Sequence, residues 1–169
     1  HHTDYWNGLQ LNIPGRGSQD LLFENNSVAD KPLSSPHGPW HWLTQDFTYV
    51  GCNVQVQNGV AGTTSDGEGF LVLTPDGNTY RFDWMAAITL PDLKKIEIDP
   101  FGAPIPGQEA RKNIRLYPTL VKDRFGNSVT YNYSNSPDEP VKLTSIHSSD
   151  GRSVTLNYDT QGQITSVTE

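Results

Sequence analysis

The chain has 169 residues, room for one good-sized domain and a core that buries most of its apolar surface. With 12 basic against 19 acidic residues and a net charge of −7, it lacks the electrostatic attraction that supports nucleic-acid binding. One cysteine, Cys52, excludes an internal disulfide or a Cys-rich zinc site, and no apolar run approaches the 18 residues or so of a membrane span.

Fifteen glycines and twelve prolines, scattered among Thr, Asn, Ser and aromatics, suit many short strands with tight turns. No long stretch carries apolar residues at helical spacing, whereas alternation with a period of two recurs, so the expected class is all-β with little or no helix. In chain order, His1-His2 reads as a tag remnant and residues 3–99 as an N-terminal β segment. Leu9 to Ile13 alternates and stops at Pro14-Gly15-Arg16-Gly17. Leu21 to Phe23 follows, then an Asn25-Asn26-Ser27 break and a Pro- and Ser-rich loop before the aromatic Trp40-His41-Trp42. Phe47 to Val50 and Asn53 to Gln57 read as two strands separated by Gly51-Cys52, and Asn58-Gly59 as a hairpin turn. Residues 70–83 form the clearest hairpin, turning at Pro75-Asp76-Gly77-Asn78. Residues 100–113, with Pro100, Pro104 and Pro106 lacking ladder donors, read as a long loop.

From 114 to 169 the chain repeats itself. Residues 126–133 (Gly-Asn-Ser-Val-Thr-Tyr-Asn-Tyr) and 151–158 (Gly-Arg-Ser-Val-Thr-Leu-Asn-Tyr) agree at six of eight positions, 25 residues apart. Each copy sits behind an acid, Asp123 or Asp150, and leads to a second apolar alternation, Leu143 to Ile146 and Ile164 to Val167. Ser134 to Pro140 is an enlarged turn inside the first copy, and residues 70–83 read as a degenerate third. Such repeats cannot bury an apolar face singly and stack to make a core. Glu169 follows directly on a repeat, which suggests that the natural chain continues and that targeting segments lie elsewhere.

These residues resemble consecutive YD repeats of the Rhs family. The repeat motif consists of Asp123, Gly126, Asn127, Val129, Tyr131 and Tyr133 in the first copy and Asp150, Gly151, Arg152, Val154, Tyr158 and Asp159 in the second; Ser134 replaces the Asp expected after Tyr133. Upstream, Ile13 to Gly17, Pro36 to Trp40 and Thr74 to Phe82 are similar to the lead-in that precedes such repeats. The resemblance implies a large secreted or cell-surface bacterial protein whose YD hairpins form an antiparallel β shell around, or displaying, a toxic domain. The partners would then be further repeats and cargo of the same polypeptide, and the terminal strands of an excised piece are expected to self-associate. Carbohydrate binding is the alternative that the family implies. Asp99-Pro100-Phe101-Gly102 matches the string at which family members release their toxin, but two repeats follow it here and it reads better as a turn.

No catalytic, cofactor or metal residue is expected. The tyrosines Tyr131, Tyr133 and Tyr158 share an apolar face with Val129 and Val154, opposite Asn132 and Asn157, and read as packing, with stacking on sugar rings as the alternative if that face is exposed. Trp40 and Trp42 are the candidate ligand contacts, as rings for a sugar to stack on. His37 and His41 lack a third metal ligand, and Gly38-Pro39 between them precludes helical spacing. Cys52 has no base placed beside it, and Asp20, Glu24 and Asp30 form no carboxylate pair.

Overall fold

The computed structural model describes residues 8–23, 39–58, 68–134 and 141–169; the tag-like His1-His2, Glu24, Asp30, His37, Gly59 and most of the 134–140 turn lie outside them. The described residues form twelve strands and no helix. They are β1 (Gln10–Ile13), β2 (Gly17–Asp20), β3 (Leu22–Phe23), β4 (Trp42–Leu43), β5 (Tyr49–Gln55) and β6 (Glu68–Leu73). Next come β7 (Thr79–Ile98), β8 (Pro104–Lys122), β9 (Ser128–Tyr133), β10 (Leu143–Ser148), β11 (Ser153–Tyr158) and β12 (Ile164–Thr168).

Strands β3 to β12 form one antiparallel sheet in chain order, each pairing with its sequence neighbours, while β1 and β2 form a separate hairpin. A strict meander follows from the turns, since each joins strands that lie side by side. Register aligns an apolar row across the sheet: Phe23 opposite Trp42, then Val50, Val72, Tyr80, Val121 and Val129 in succession. The core gathers on that row, with Ile13 of β1 buried against Val50, Val72 and Phe82, and with Leu11, Trp42, Phe70 and Leu116 around them. The β1–β2 hairpin therefore acts as a second layer over one region of the sheet. Across β9 to β12 side chains are half-buried or exposed, Ile164 and Val167 among the latter.

Two expectations need correction. Gly51-Cys52 does not separate a pair of strands, because β5 runs through it and absorbs the irregularity as a register shift between Gly51 and Val54. The expected loop at 100–113 is a turn at 99–103 followed at once by β8, which pairs with β7 from Lys122 back to Pro104. The reason lies in where the prolines fall. Asp99 donates its N–H to Ala103, so Ile98 opposite Pro104 and Ile96 opposite Pro106 are non-hydrogen-bonded pairs. Both prolines lack an N–H that would have pointed away from β7, and the ladder loses nothing. Pro91 sits where the register shifts between Leu90 and Leu93, its carbonyl accepting from Nε and Nη2 of Arg111 at 3.0 and 2.9 Å.

Candidate functional site

The feature that recurs through the molecule is a five-residue turn. At Thr74–Asn78, Asp99–Ala103, Asp123–Asn127, Ser148–Arg152 and Asp159–Gln163 the first residue donates its N–H to the carbonyl of the fifth and accepts from the N–H of the fourth. The fourth residue is always glycine with φ between 81° and 97°, the left-handed conformation that closes a tight hairpin in step with the strand twist. A sixth turn, Thr44–Thr48, makes the same two bonds with Phe47 at φ 61° in the glycine's place.

One aspartate serves each turn, in one of two places. Where Asp99, Asp123 or Asp159 comes first, its Oδ1 accepts from the N–H groups two and four residues on, at 2.7 to 2.9 Å. Where a hydroxyl comes first, the acid is third: Asp46 accepts from the hydroxyl of Thr44, and Asp76 and Asp150 stand beside those of Thr74 and Ser148, which help to lower them. At Asp46, Asp76, Asp123 and Asp150 such bonds hold the carboxylate below its ordinary range. For Asp123 the Asn127 amide contributes most, and for Asp150 the Arg152 guanidinium, which reaches Oδ2 from Nε at 2.8 Å and from Nη2 at 2.7 Å. Burial would raise Asp46, but bonds from Thr44, Gln19, Thr48 and Arg16 outweigh it and hold it well down.

Two of these acids fasten the second layer. Arg16, in the β1–β2 turn, reaches Asp46 from Nη1 at 3.0 Å and Asp76 from Nη2 at 2.9 Å, bridging the β4–β5 and β6–β7 turns. The seam beneath is lined by Leu11, Ile13, Gln19 and Thr48. The sequence reading missed Arg16, Asp46 and the 44–48 turn. The signal was the hydroxyl-x-Asp spacing that Thr44-Gln45-Asp46 shares with Thr74-Pro75-Asp76 and Ser148-Ser149-Asp150.

The repeat residues come together as neighbours on adjacent strands. Tyr131 lies opposite Ile146, which lies opposite Val154, so Tyr131 and Val154 flank a common partner. Tyr133 is half-buried, stacked on Trp84 at 5.7 Å and tilted against Tyr117 at 5.8 Å, and burial pushes its phenol well up. Gly126, Asn127, Gly151, Arg152 and Asp159 all lie in the recurring turns. Trp40 does not stand open to a ligand: it is 5% exposed, against Tyr49. Trp42 is half-buried between Phe23, His41 and Phe70. Desolvation, with Glu68 beside it, pushes the Cys52 thiol up to about 12, far from the thiolate that nucleophilic chemistry needs. No group of three or more His, Cys, Asp or Glu side chains among the described residues has the geometry to hold a metal ion. Among the same residues no helix is long and apolar enough to cross a membrane.

Compared with known proteins, the chain matches no family model, no curated protein and no solved structure.

Proposed function

We propose that this chain is a non-enzymatic structural module, a stretch of YD-type β wall that joins edgewise to further repeats of a larger secreted protein and helps to enclose or display a toxic domain. The observation that carries the reading is the identity of the turns. One hydrogen-bond pattern recurs at six places, with one aspartate at each occupied in the turn. A sheet built by repeating one hairpin can lengthen without redesign, because each new strand meets the same edge as the last. The half-exposed faces of β9 to β12 fit a wall whose burial improves as neighbours are added.

The test is to append a second copy of residues 148–169 after Glu169. A wall module gains thermal stability and protease-resistant strand with the added copy, as one-dimensional arrays do. An added copy that stays unstructured, or binding of the unmodified chain to a glycan array at Trp42, would overturn the reading.

A further inference from the structure

Beyond Met85 and Leu116, β7 and β8 pair only with each other among the described residues and run on as a two-stranded ribbon. From Ala86 to Ile98 that is about 40 Å of extended chain. Its two faces differ. On one, Lys95 pairs with Glu97 at 3.2 Å and Glu109 at 3.6 Å. On the other, Ile96 and Ile98 stand opposite Pro106 and Pro104, and at the apex Phe101 is 94% exposed. Ile96 is 77% exposed, the most exposed aliphatic among the large hydrophobics of the described residues, and Ile98 follows it on the same face. The charges sharing this apolar face are Lys94 and Lys112, set back from the apex on the two strands with Lys112 opposite Thr89, and Asp92, in the bulge opposite Ala110 between them.

We propose that the ribbon tip docks on an anionic phospholipid surface, with Phe101, Ile96, Ile98, Pro104 and Pro106 entering the interface and Lys94 and Lys112 meeting the headgroups. An apolar face with lysines behind it is the arrangement of an interfacial anchor, whose long cationic side chains keep their heads among the phosphates. The rest of the molecule is acidic, but residues 86–115 carry five basic against four acidic side chains. The tip stands several Debye lengths from the body at physiological salt, roughly 8 Å each, so the body's charge is screened there. Asp99, near the apex, holds its carboxylate on the N–H groups of Phe101 and Ala103.

The alternatives fit less well. Pro104 and Pro106 leave the outer edge of β8 without two donors, which blunts strand addition by another chain. Stacking two copies face to face would bring four lysines together. Five apolar side chains also fall short of the roughly 20 to 30 residues a side that a stable protein interface uses, whereas a bilayer demands no shape complementarity.

The experiment is co-flotation of the full chain with phosphatidylcholine vesicles, with and without about one-third phosphatidylglycerol. The chain is expected to float with the anionic vesicles and not the neutral ones. The Ile98→Asp/Phe101→Asp variant, at exposed positions and checked for an unchanged circular dichroism spectrum, should lower the bound fraction about tenfold or more. Lys94→Glu/Lys112→Glu should weaken binding and remove its salt dependence. No flotation with anionic vesicles overturns the proposal, as does flotation that both variants retain, or self-association that the tip variant abolishes without any lipid binding. None of these outcomes bears on whether added repeats stack.

Discussion

Tyr133 and Tyr158, 25 residues apart, make the same hydrogen bond: each donates its hydroxyl to a backbone carbonyl 15 residues upstream, Pro118 at 2.6 Å and Leu143 at 2.7 Å. The adjoining asparagines also match, Nδ2 of Asn132 reaching Oγ of Ser145 and that of Asn157 reaching Oγ of Ser166, both at 3.0 Å. Thr144 and Thr165 are the residues skipped in the two equivalent register shifts. The repeat is thus one of hydrogen bonds as well as of letters.

Replacing either tyrosine by Phe removes one hydroxyl bond to a partly buried carbonyl and should cost about 0.5–1.5 kcal/mol. The loss should be greater at Tyr133, which is stacked between Trp84 and Tyr117. Urea unfolding of the two variants measures this, and no loss at either position would show that the repeated bond is incidental.

Phe47 occupies a left-handed backbone position that glycine takes in the other five turns of this form. Its side chain is 66% exposed, so little packing compensates the strain. Phe47→Gly should therefore stabilise the protein by about 0.5–1 kcal/mol, net of glycine's entropy cost. At Gly126 and Gly151, where an added Cβ would meet nothing within 4 Å, replacement by Ala should cost about 1–2 kcal/mol from the backbone alone. Melting temperatures should rise for the Phe47 variant and fall for the two glycine variants.

The same residue explains what sequence reading could reach. Glycines at 77, 126 and 151 advertise their turns, so the all-β class and the repeated hairpins were legible. Phe47 hides a turn whose bonds are unchanged, because its conformation is imposed by Thr44, Asp46 and the strands around it. Pro104 and Pro106 suggested a loop because sequence shows that an N–H is missing but not which way it would have pointed. Trp40 is packed against Tyr49 by β5, a contact between strands that no local pattern displays.

Acid should loosen the turns. Asp46, Asp76, Asp123 and Asp150 all titrate below the ordinary carboxylate value in the folded chain. A depressed folded-state pKa stabilises the fold above the unfolded value, about 3.9, and that contribution disappears as pH falls through the folded value. The melting temperature should stay level from about pH 7 to 5 and decline below about pH 4. Asp46→Asn should flatten the decline by removing one of these carboxylates together with its share of the Arg16 bridge. A melting temperature that rises on acidification would contradict this account of the turns.

Asp83 is the buried counterpart of Asn132 and Asn157. It follows its turn at the same spacing and likewise bonds a hydroxyl on the next strand, that of Thr119. The difference is its charge: fully buried, the carboxylate also accepts from Gln57 Nε2 at 3.0 Å and forms an ion pair with Arg81, whose Nε lies 2.6 Å away. Where the repeats place Asn, residue 81 is matched by Thr130 and Thr155, so the acid and the arginine have changed together. Asp83→Asn alone turns an amide donor toward donors that lack an acceptor and should cost about 2–4 kcal/mol. Adding Arg81→Thr removes the cation left without its counter-charge and restores the pair that the repeats use, so the double variant should recover at least about 1 kcal/mol relative to Asp83→Asn. Denaturant unfolding of both single variants and the double closes the cycle. Strictly additive losses would mean that Arg81 and Asp83 do not act as a pair.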